Sequence, residues 1–370
     1  MFTRRKKEAE PEGLATYSQW KLIALRFYRH KLAVVSMALL LVMYAVAAFA
    51  DFVIPYSPTE HNMTLLYAPP TRFYLHDENG FSLRPFTYPL QAARNPETLQ
   101  MEFVEDRSER DYIELFAEGH DYKLLGIFPT NRHLFGSRNG THIHLFGTNN
   151  MGKDIFSATI YGTRVSLTIG LLSIVLSFVL GILIGGVAGF YGGTVDNAIQ
   201  RVIEILRSVP SLPLWMALSA AIPPNWPVGK TYLAITIILS LIGWTGMARV
   251  VRGKFLALRE EDFVAAARLS GVTEFNIILK HLIPCFMSYI ITSATLAVPG
   301  MILGETALSF LGLGMKPPAV SWGVLLNDAQ NVFSLAMAPW MLIPGLFVMA
   351  TILMFNFMGD GLRDSADPYA

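Results

Sequence analysis

From residue 32 onward the chain is a succession of long apolar runs separated by short charged or Pro- and Gly-containing breaks. Six runs read as helical membrane crossings: Leu32 to Phe52, Val165 to Phe190, a weaker one around Ile199 to Ile222, Tyr232 to Val251, Phe286 to Leu308, and Pro339 to Phe357. Five of them approach or exceed the roughly 20 residues needed to cross about 30 Å of hydrocarbon. The third holds Glu204, Arg207, Pro210 and Pro213. It can cross only if its polar first turns lie among headgroups or against other helices. Between the first two runs, Val53 to Arg164 follows a different period. Short alternating runs at Tyr112 to Phe116, Tyr122 to Phe128 and His142 to Phe146, punctuated by Pro and Gly, predict a small strand-rich domain.

Composition agrees with the pattern: 52% hydrophobic and only 15% charged residues make the chain too apolar for a soluble protein of 370 residues. Basic residues then suggest an orientation. Arg4, Arg5, Lys6, Lys7, Lys21, Arg26, Arg29 and Lys31 precede the first run and mark the N-terminus as cytoplasmic. Six crossings from there place Arg201, Arg207, the cluster from Arg249 to Lys280, and Arg363 on the same side, with only Lys230 and Lys316 in the short external loops. An apolar core after 31 mostly polar residues is expected to be a signal anchor, not a cleaved leader. The single cysteine, Cys285, excludes an intrachain disulfide and a cysteine-built metal site, and its position suggests packing. Nothing in the charge pattern points to nucleic acid.

The most informative stretch is polar and helix-prone, Asp262 to Pro284, wedged between two apolar runs. Glu261 to Leu269 is dense in helix formers, and Ala265, Ala266 and Ala267 leave a low face for another protein's groove. Arg259, Glu260, Glu261, Asp262 and Arg268 surround it with charge. Gly271 suits a helix stop, and Pro284 starts or kinks the next helix. Two short helices joined by a turn are expected. In the second apolar run Gly181, Gly185 and Gly189 share one helix face on which another helix can approach closely.

The spacing of Ala266 and Ala267, Gly271 and Pro284 resembles the cytoplasmic coupling loop of ABC-importer permeases, whose usual pattern is Glu-Ala-Ala, three residues, Gly, nine residues, Ile-x-Leu-Pro. Ala265 stands where that family usually has Glu, and His281 and Ile283 where it has Ile and Leu. Further similarity lies in Phe146 to Gly170, with Gly147, Thr148, Gly152, Asp154, Tyr161, Gly162, Arg164, Ser166 and Leu167. Arg207-Ser208-Val209-Pro210, Pro299 to Gly314, Trp322-Gly323, Gly359 to Asp364 and Asp367-Pro368 extend it over nearly everything from residue 146. By these residues the chain resembles the DppC/OppC-like permease subunits of type I, peptide-class ABC importers.

That resemblance implies an all-α polytopic membrane protein of six transmembrane helices, the type I ABC importer permease fold, with an extra strand-rich external loop domain. It implies residues 1–31 as a cytoplasmic segment, 32–54 as the first helix, 55–146 as an external insertion, 147–358 as a five-helix core with a coupling loop at 252–285, and 359–370 as a cytoplasmic tail. It further implies a bacterial inner-membrane, non-catalytic subunit with both termini cytoplasmic. Its partners would be a homologous second permease, two ABC ATPase subunits, an extracytoplasmic binding protein, and membrane lipid. No cofactor is expected in this chain, ATP and magnesium being bound by the ATPases. The coupling residues carried over are Glu261, Asp262, Ala265, Ala266, Ala267, Arg268, Gly271 and Pro284.

Within the apolar runs Glu305 is the one deeply placed acid, so it must face protein or water. It reads as a gate residue or as a structural hydrogen-bonding group, and its distance along the fifth run places it near the external boundary. Pro299-Gly300 in the same run supplies a kink that can serve as a hinge or merely shape the helix. Gly229-Lys230-Thr231 mimics the end of a phosphate-binding loop, but Pro224 occupies the first glycine position and no strand precedes it. His142 and His144 would share one side of a strand, yet two ligands do not make a metal site. Two other classes stand beside the importer reading: a membrane sensor with an external ligand-binding domain, and a stand-alone carrier.

Overall fold

A computed structural model describes residues 18–77, 80–94 and 101–366. Arg4, Arg5, Lys6 and Lys7, and Asp367 with Pro368, lie outside the described residues. The chain opens with the amphipathic helix α1 (Gln19–Arg29), followed by the apolar α2 (Lys31–Ala48) and the single turn α3 (Ala50–Val53). After the insertion come α4 (Ile155–Tyr191), α5 (Gly193–Ser208), α6 (Ser211–Ala220) and α7 (Val228–Leu258). A polar bend holds α8 (Asp262–Leu269), α9 (Glu274–Ile277), a π-helical turn (Ile278–Leu282) and α10 (Ile283–Cys285). The chain ends with α11 (Met287–Phe310), α12 (Trp322–Asp328), α13 (Val332–Met337) and α14 (Ile343–Ala366).

Among the described residues five helices are long and apolar enough to cross a membrane, and α5 with α6 makes a sixth stretch only as a pair bent by 85°. The bend has a local cause. Pro210 drives Val209 into extended backbone (φ −92°, ψ 131°), which no helix can run through. Several helices are also longer than their apolar runs. α4 begins at Ile155, ten residues before Val165, because the carboxylate of Asp154 caps it, accepting the backbone N–H of Ser157 at 2.7 Å. α14 continues past Phe357 to Ala366, with Gly359 against Leu296 and Gly361 against Ala33. Cys285, expected to be packed, is exposed, its thiol turned to the carbonyl of His281 at 3.0 Å.

The core sits between α4 and α7. Cβ atoms added at Gly181, Gly185 and Gly189 would come within 2.7 Å of Met247 Cβ, Ala248 Cα and Phe255 Cβ respectively. Removing side chains lets the two backbones touch, and van der Waals packing plus hydroxyl bridges replaces the hydrophobic drive absent in lipid. Ser240 donates to the carbonyl of Ser173 at 3.2 Å and Ser177 to that of Ser240 at 3.3 Å.

Contacts at the helix ends fix which ends share a side. His30, at the start of α2, lies 3.5 Å from Asp364 near the end of α14. Arg259, just after α7, donates to the carbonyls of Gly189 and Phe190 at the end of α4. At the opposite end the Arg164 guanidinium takes the terminal carbonyls of α2, Ala47 O at 2.9 Å and Ala48 O at 3.2 Å, and pairs with Asp51.

The insertion occupies that opposite end. β1 (Tyr74–Asp77), β2 (Gly80–Thr87), β5 (Asp111–Leu115) and β8 (Phe135–Ser137) form an antiparallel sheet in the order β1-β2-β5-β8. β3 (Leu90–Arg94) pairs with β4 (Met101–Glu105), and β6 (Glu118–Leu124) with β7 (Phe128–Arg132). Tyr122 to Phe128, one of the alternating runs, holds the tip of a hairpin: the end of β6, a turn through Leu125 and Gly126 at φ 52° and 75°, and the start of β7. His142 to Phe146 is not a strand. Its backbone is satisfied individually: Ile143 N–H by the Tyr56 hydroxyl at 2.6 Å, and His144 N–H by the Thr71 hydroxyl at 2.8 Å.

Burial, and then the neighbouring His133, pull the imidazole pKa of His120 down; burial, and then His144, do the same for His142. Both groups therefore protonate more readily in the unfolded chain. Their neutral forms fit the fold above about pH 6.5, and stability falls as pH drops through the lowered folded values. Amide hydrogen exchange over residues 118–144 should accelerate between about pH 7.5 and about pH 5, relative to its intrinsic pH dependence, whereas α4 and α7 should not.

Candidate functional site

The polar bend is built so that one face is fixed and the other is free. In α8, Val264 is fully buried and Ala267 nearly so; both join Phe190, Phe255, Ile277, Leu282 and Phe286 in the main core. The intervening Ala265 and Ala266 are exposed, as are Glu261 and Asp262. The alanine triplet is thus split, with Ala267 anchoring the helix while its two neighbours form the low outward face. Gly271 follows at φ 75°, a left-handed position favourable only to glycine, and lets the chain reverse into α9. Pro284 lies in α10, directly after the π-helical turn Ile278–Leu282.

Three arginines pin the bend and the end of α7 to the helices beside them. Arg252, in the last turns of α7, makes a bidentate ion pair with Asp196 in the first turn of α5. Arg259 caps the carboxyl end of α4, where the helix dipole favours a cation, and pairs with Glu260 at 2.9 Å. Arg268 of α8 lies with its guanidinium carbon 5.1 Å from the ring centre of Phe190, a cation–π contact. Arg259 and Arg268 thus tie the bend to the end of α4, and Arg252 ties α7 to α5.

The sequence pattern did not single out the exposed apolar residues around this face. Leu269 is 91% exposed and Phe275 65%, with Phe263 and Leu279 also open. Large apolar side chains at such exposure on a polar bend form an uncovered apolar surface of the kind found at interaction sites. The available signal was the interruption of a charged segment by Phe263, Leu269 and Phe275.

Glu305 is far from that bend. It is fully buried in α11 and accepts hydroxyl hydrogen bonds from Ser309 at 2.8 Å and from Ser166 of α4 at 3.2 Å. Ser166 in turn accepts the backbone N–H of Trp322, the first residue of α12, at 3.1 Å. The acid thus ties α4, α11 and α12 into one network. Pro299 is buried within a continuous α11, and Gly300 has no neighbour where a side chain would stand. His142 and His144 stack with ring centres 5.9 Å apart, but His144 Nδ1 is engaged by Asp154 at 3.0 Å. Among the described residues no group of three or more His, Cys, Asp or Glu side chains could hold a metal ion.

Comparison with known proteins follows the same division. Residues 181–368 match the family of binding-protein-dependent transport system inner membrane components. Residues 18–70 match the N-terminal transmembrane domain of oligopeptide transport permease C. The oligopeptide transport system permease protein OppC of Haemophilus influenzae is 41% identical over 252 residues, covering 68% of this chain and 76% of that protein. OppC of Escherichia coli K12 is 41% identical over 226 residues, 61% of this chain and 72% of its own length. The dipeptide transport system permease protein DppC of Bacillus subtilis is 40% identical over 226 residues, 61% of this chain and 68% of its own.

Proposed function

Because the chain belongs to the family of binding-protein-dependent transport system inner membrane components, we propose that it is a translocation subunit of an ATP-driven importer for peptides or a related solute such as oligosaccharides. The observation that carries this reading is the polar bend with its buried anchors Val264 and Ala267, and its outward Leu269 and Phe275. A separate ATPase covers that face, and its closure tilts the helices clamped by Arg252, Arg259 and Arg268. ATP and its magnesium ion are held by two such ATPase subunits, and this chain itself is not catalytic. A homologous permease forms the other wall of the pathway, and an extracytoplasmic protein delivers the solute.

Helix parity supports six crossings. His30 and Asp364 meet on one side, so the number of crossings between them must be even. Five straight helices alone would separate them. The bent pair α5 and α6 makes up the difference, beginning at Asp196 beside Arg252 and reaching Trp215 beside Gly304. With the basic segment around Lys21, Arg26 and Arg29 on the cytoplasmic side, both termini and the polar bend face the cytoplasm and the insertion faces outward. The insertion then stands where the delivering protein arrives. A photo-crosslinker at Leu83, which is 89% exposed, should capture that protein, and absence of capture from every exposed strand of the sheet would remove the insertion from delivery.

Replacing Leu269 and Phe275 together by Glu should abolish uptake and release the ATPase on purification, with the permease still folded, because both side chains are already open to solvent. Loss of two central apolar contacts costs binding about 2 kcal/mol or more each. Uptake and copurification unchanged in that variant would sink the proposal.

A further inference from the structure

Two loops on the side opposite the polar bend enclose a cavity of about 160 Å³. One, residues 221–227, joins α6 to α7, and the other, residues 311–321, joins α11 to α12. α7 runs from the first loop to the bend and α11 from the bend to the second, so the cavity lies on the insertion's side. A cavity of this size takes a molecule of about benzene's size. Four of its lining residues are prolines, which have no N–H to offer a ligand, so side chains must supply most of the donors.

Those side chains suit an anion. Ser219, in the last turn of α6, lines the cavity and is 3% exposed, yet its hydroxyl has no hydrogen-bond partner. Buried polar groups are ordinarily paired, so an orphan hydroxyl on a cavity wall is a donor awaiting an acceptor. Lys316 lines the same cavity and makes no ion pair among the described residues. None of the lining residues is acidic, so nothing within the cavity neutralises its charge. Asn225 and Thr231 add an amide and a second hydroxyl to the lining. The walls are fixed in advance. Met315 N–H donates to the Ser309 hydroxyl at 3.0 Å, and Ser309 donates to Glu305 at 2.8 Å, which ties the second loop to the buried network of α4, α11 and α12. In the first loop Ile222 N–H reaches the carbonyl of Ser219 at 3.0 Å and Trp226 N–H that of Pro223 at 3.2 Å.

We propose that this cavity binds the free carboxylate end of a peptide, with the Lys316 ammonium and the Ser219 hydroxyl donating to the carboxylate and Trp226 flanking the terminal side chain. A charge-assisted pair with lysine is strong and selects for the ionised group. The cavity admits a carboxylate with one small side chain and is too small for a folded partner. A neutral oligosaccharide brings no charge to meet Lys316. The inference rests on reading the chain as an importer subunit and narrows the solute from that reading to peptides. It also gives Glu305 a positioning role, since the carboxylate that holds Ser309 thereby holds the wall at Met315.

The test uses the assembled transporter in phosphatidylcholine nanodiscs, without ATP, titrated with alanyl-valine and with its C-terminal amide and read by saturation-transfer NMR. The free acid should bind about tenfold more tightly than the amide. Lys316→Met should erase that preference, and Lys316→Arg should keep it. Ser219→Ala should weaken the acid several-fold without lowering the thermal unfolding temperature of the unliganded transporter, because the hydroxyl has no partner there to lose. Equal binding of acid and amide, binding unchanged by Lys316→Met, or no saturable binding overturns the proposal. Displacement of alanyl-valine by inorganic phosphate as readily as by unlabelled alanyl-valine makes the cavity a general anion site and overturns it equally. No ATP is consumed in this measurement, so failure here with ATP-driven uptake intact removes this site and leaves the importer reading standing.

Discussion

Gly185→Val should leave almost no folded protein in the membrane, the largest loss expected of any single substitution in the helical core. A Cβ at this position would stand 2.7 Å from Ala248 Cα and 2.9 Å from Ala248 C, and the obstacle is backbone, which cannot rotate away. α4 and α7 would have to separate along the stripe that also includes Gly181 and Gly189, losing the close contacts between Ser173, Ser177 and Ser240. Overpacking by a few methyl groups costs about 1–3 kcal/mol in a core that can adjust, and a rigid backbone contact lies at or above the upper end. Gly246 of α7, with nothing within 4 Å of its would-be Cβ, is the control: Gly246→Ala should be tolerated. The comparison is read as the yield of monodisperse protein in detergent and its thermal unfolding, and equal behaviour of the two variants would refute the packing argument.

Arg252→Met should cost about 3 kcal/mol, near the lower end for breaking a buried ion pair, because the guanidinium keeps some access to solvent. The Asp196 side chain is 9% exposed and that of Arg252 32%. Removing the cation leaves the Asp196 carboxylate buried without its bidentate partner, at the junction of α5 with the last turns of α7. Asp196→Asn combined with Arg252→Met should recover much of the loss, since no unpaired charge remains, and the coupling energy from the double-mutant cycle should be large. Additive effects in that cycle would show the pair to be incidental. On the reading that a motor protein moves α8, the double variant should fold, and the transporter assembled with it should hydrolyse ATP with reduced uptake, because the clamp joining α7 to α5 is gone.

The five long apolar helices were legible as apolar runs because lipid demands uninterrupted hydrophobic length of any helix that spans it. Their limits were less legible. α4 starts at Ile155 because Asp154 caps it and its first turns are buried in protein, so polar residues that would end a lone helix in lipid are accommodated. The doubtful third stretch was flagged by Pro210 and Pro213, yet only the folded chain shows an 85° bend with Asp196 engaged by Arg252. Strands in the insertion were partly legible at Asp111–Leu115, whereas His142 to Phe146 alternates without pairing because Tyr56 and Thr71 supply its partners. Such partners lie some 70 to 90 residues away in sequence, beyond the reach of any local pattern.

The polar bend shows the same division. Spacing alone placed a helix, a glycine stop and a proline between Glu261 and Pro284, because backbone sterics at Gly271 and Pro284 act locally. Which alanines face outward depended on where Val264 and Ala267 meet the core, and the exposed Leu269 and Phe275 became visible only once that face was fixed. Glu305 could be recognised as an acid that lipid would reject; that Ser166 and Ser309 satisfy it was decided by the meeting of α4 with α11. By itself, then, the sequence determined what solvent and backbone impose residue by residue: apolar length, the glycine stop at Gly271, and close-approach glycines. Tertiary structure decided which polar groups pair across the chain and which apolar side chains stay uncovered, because both depend on contacts between segments far apart in sequence.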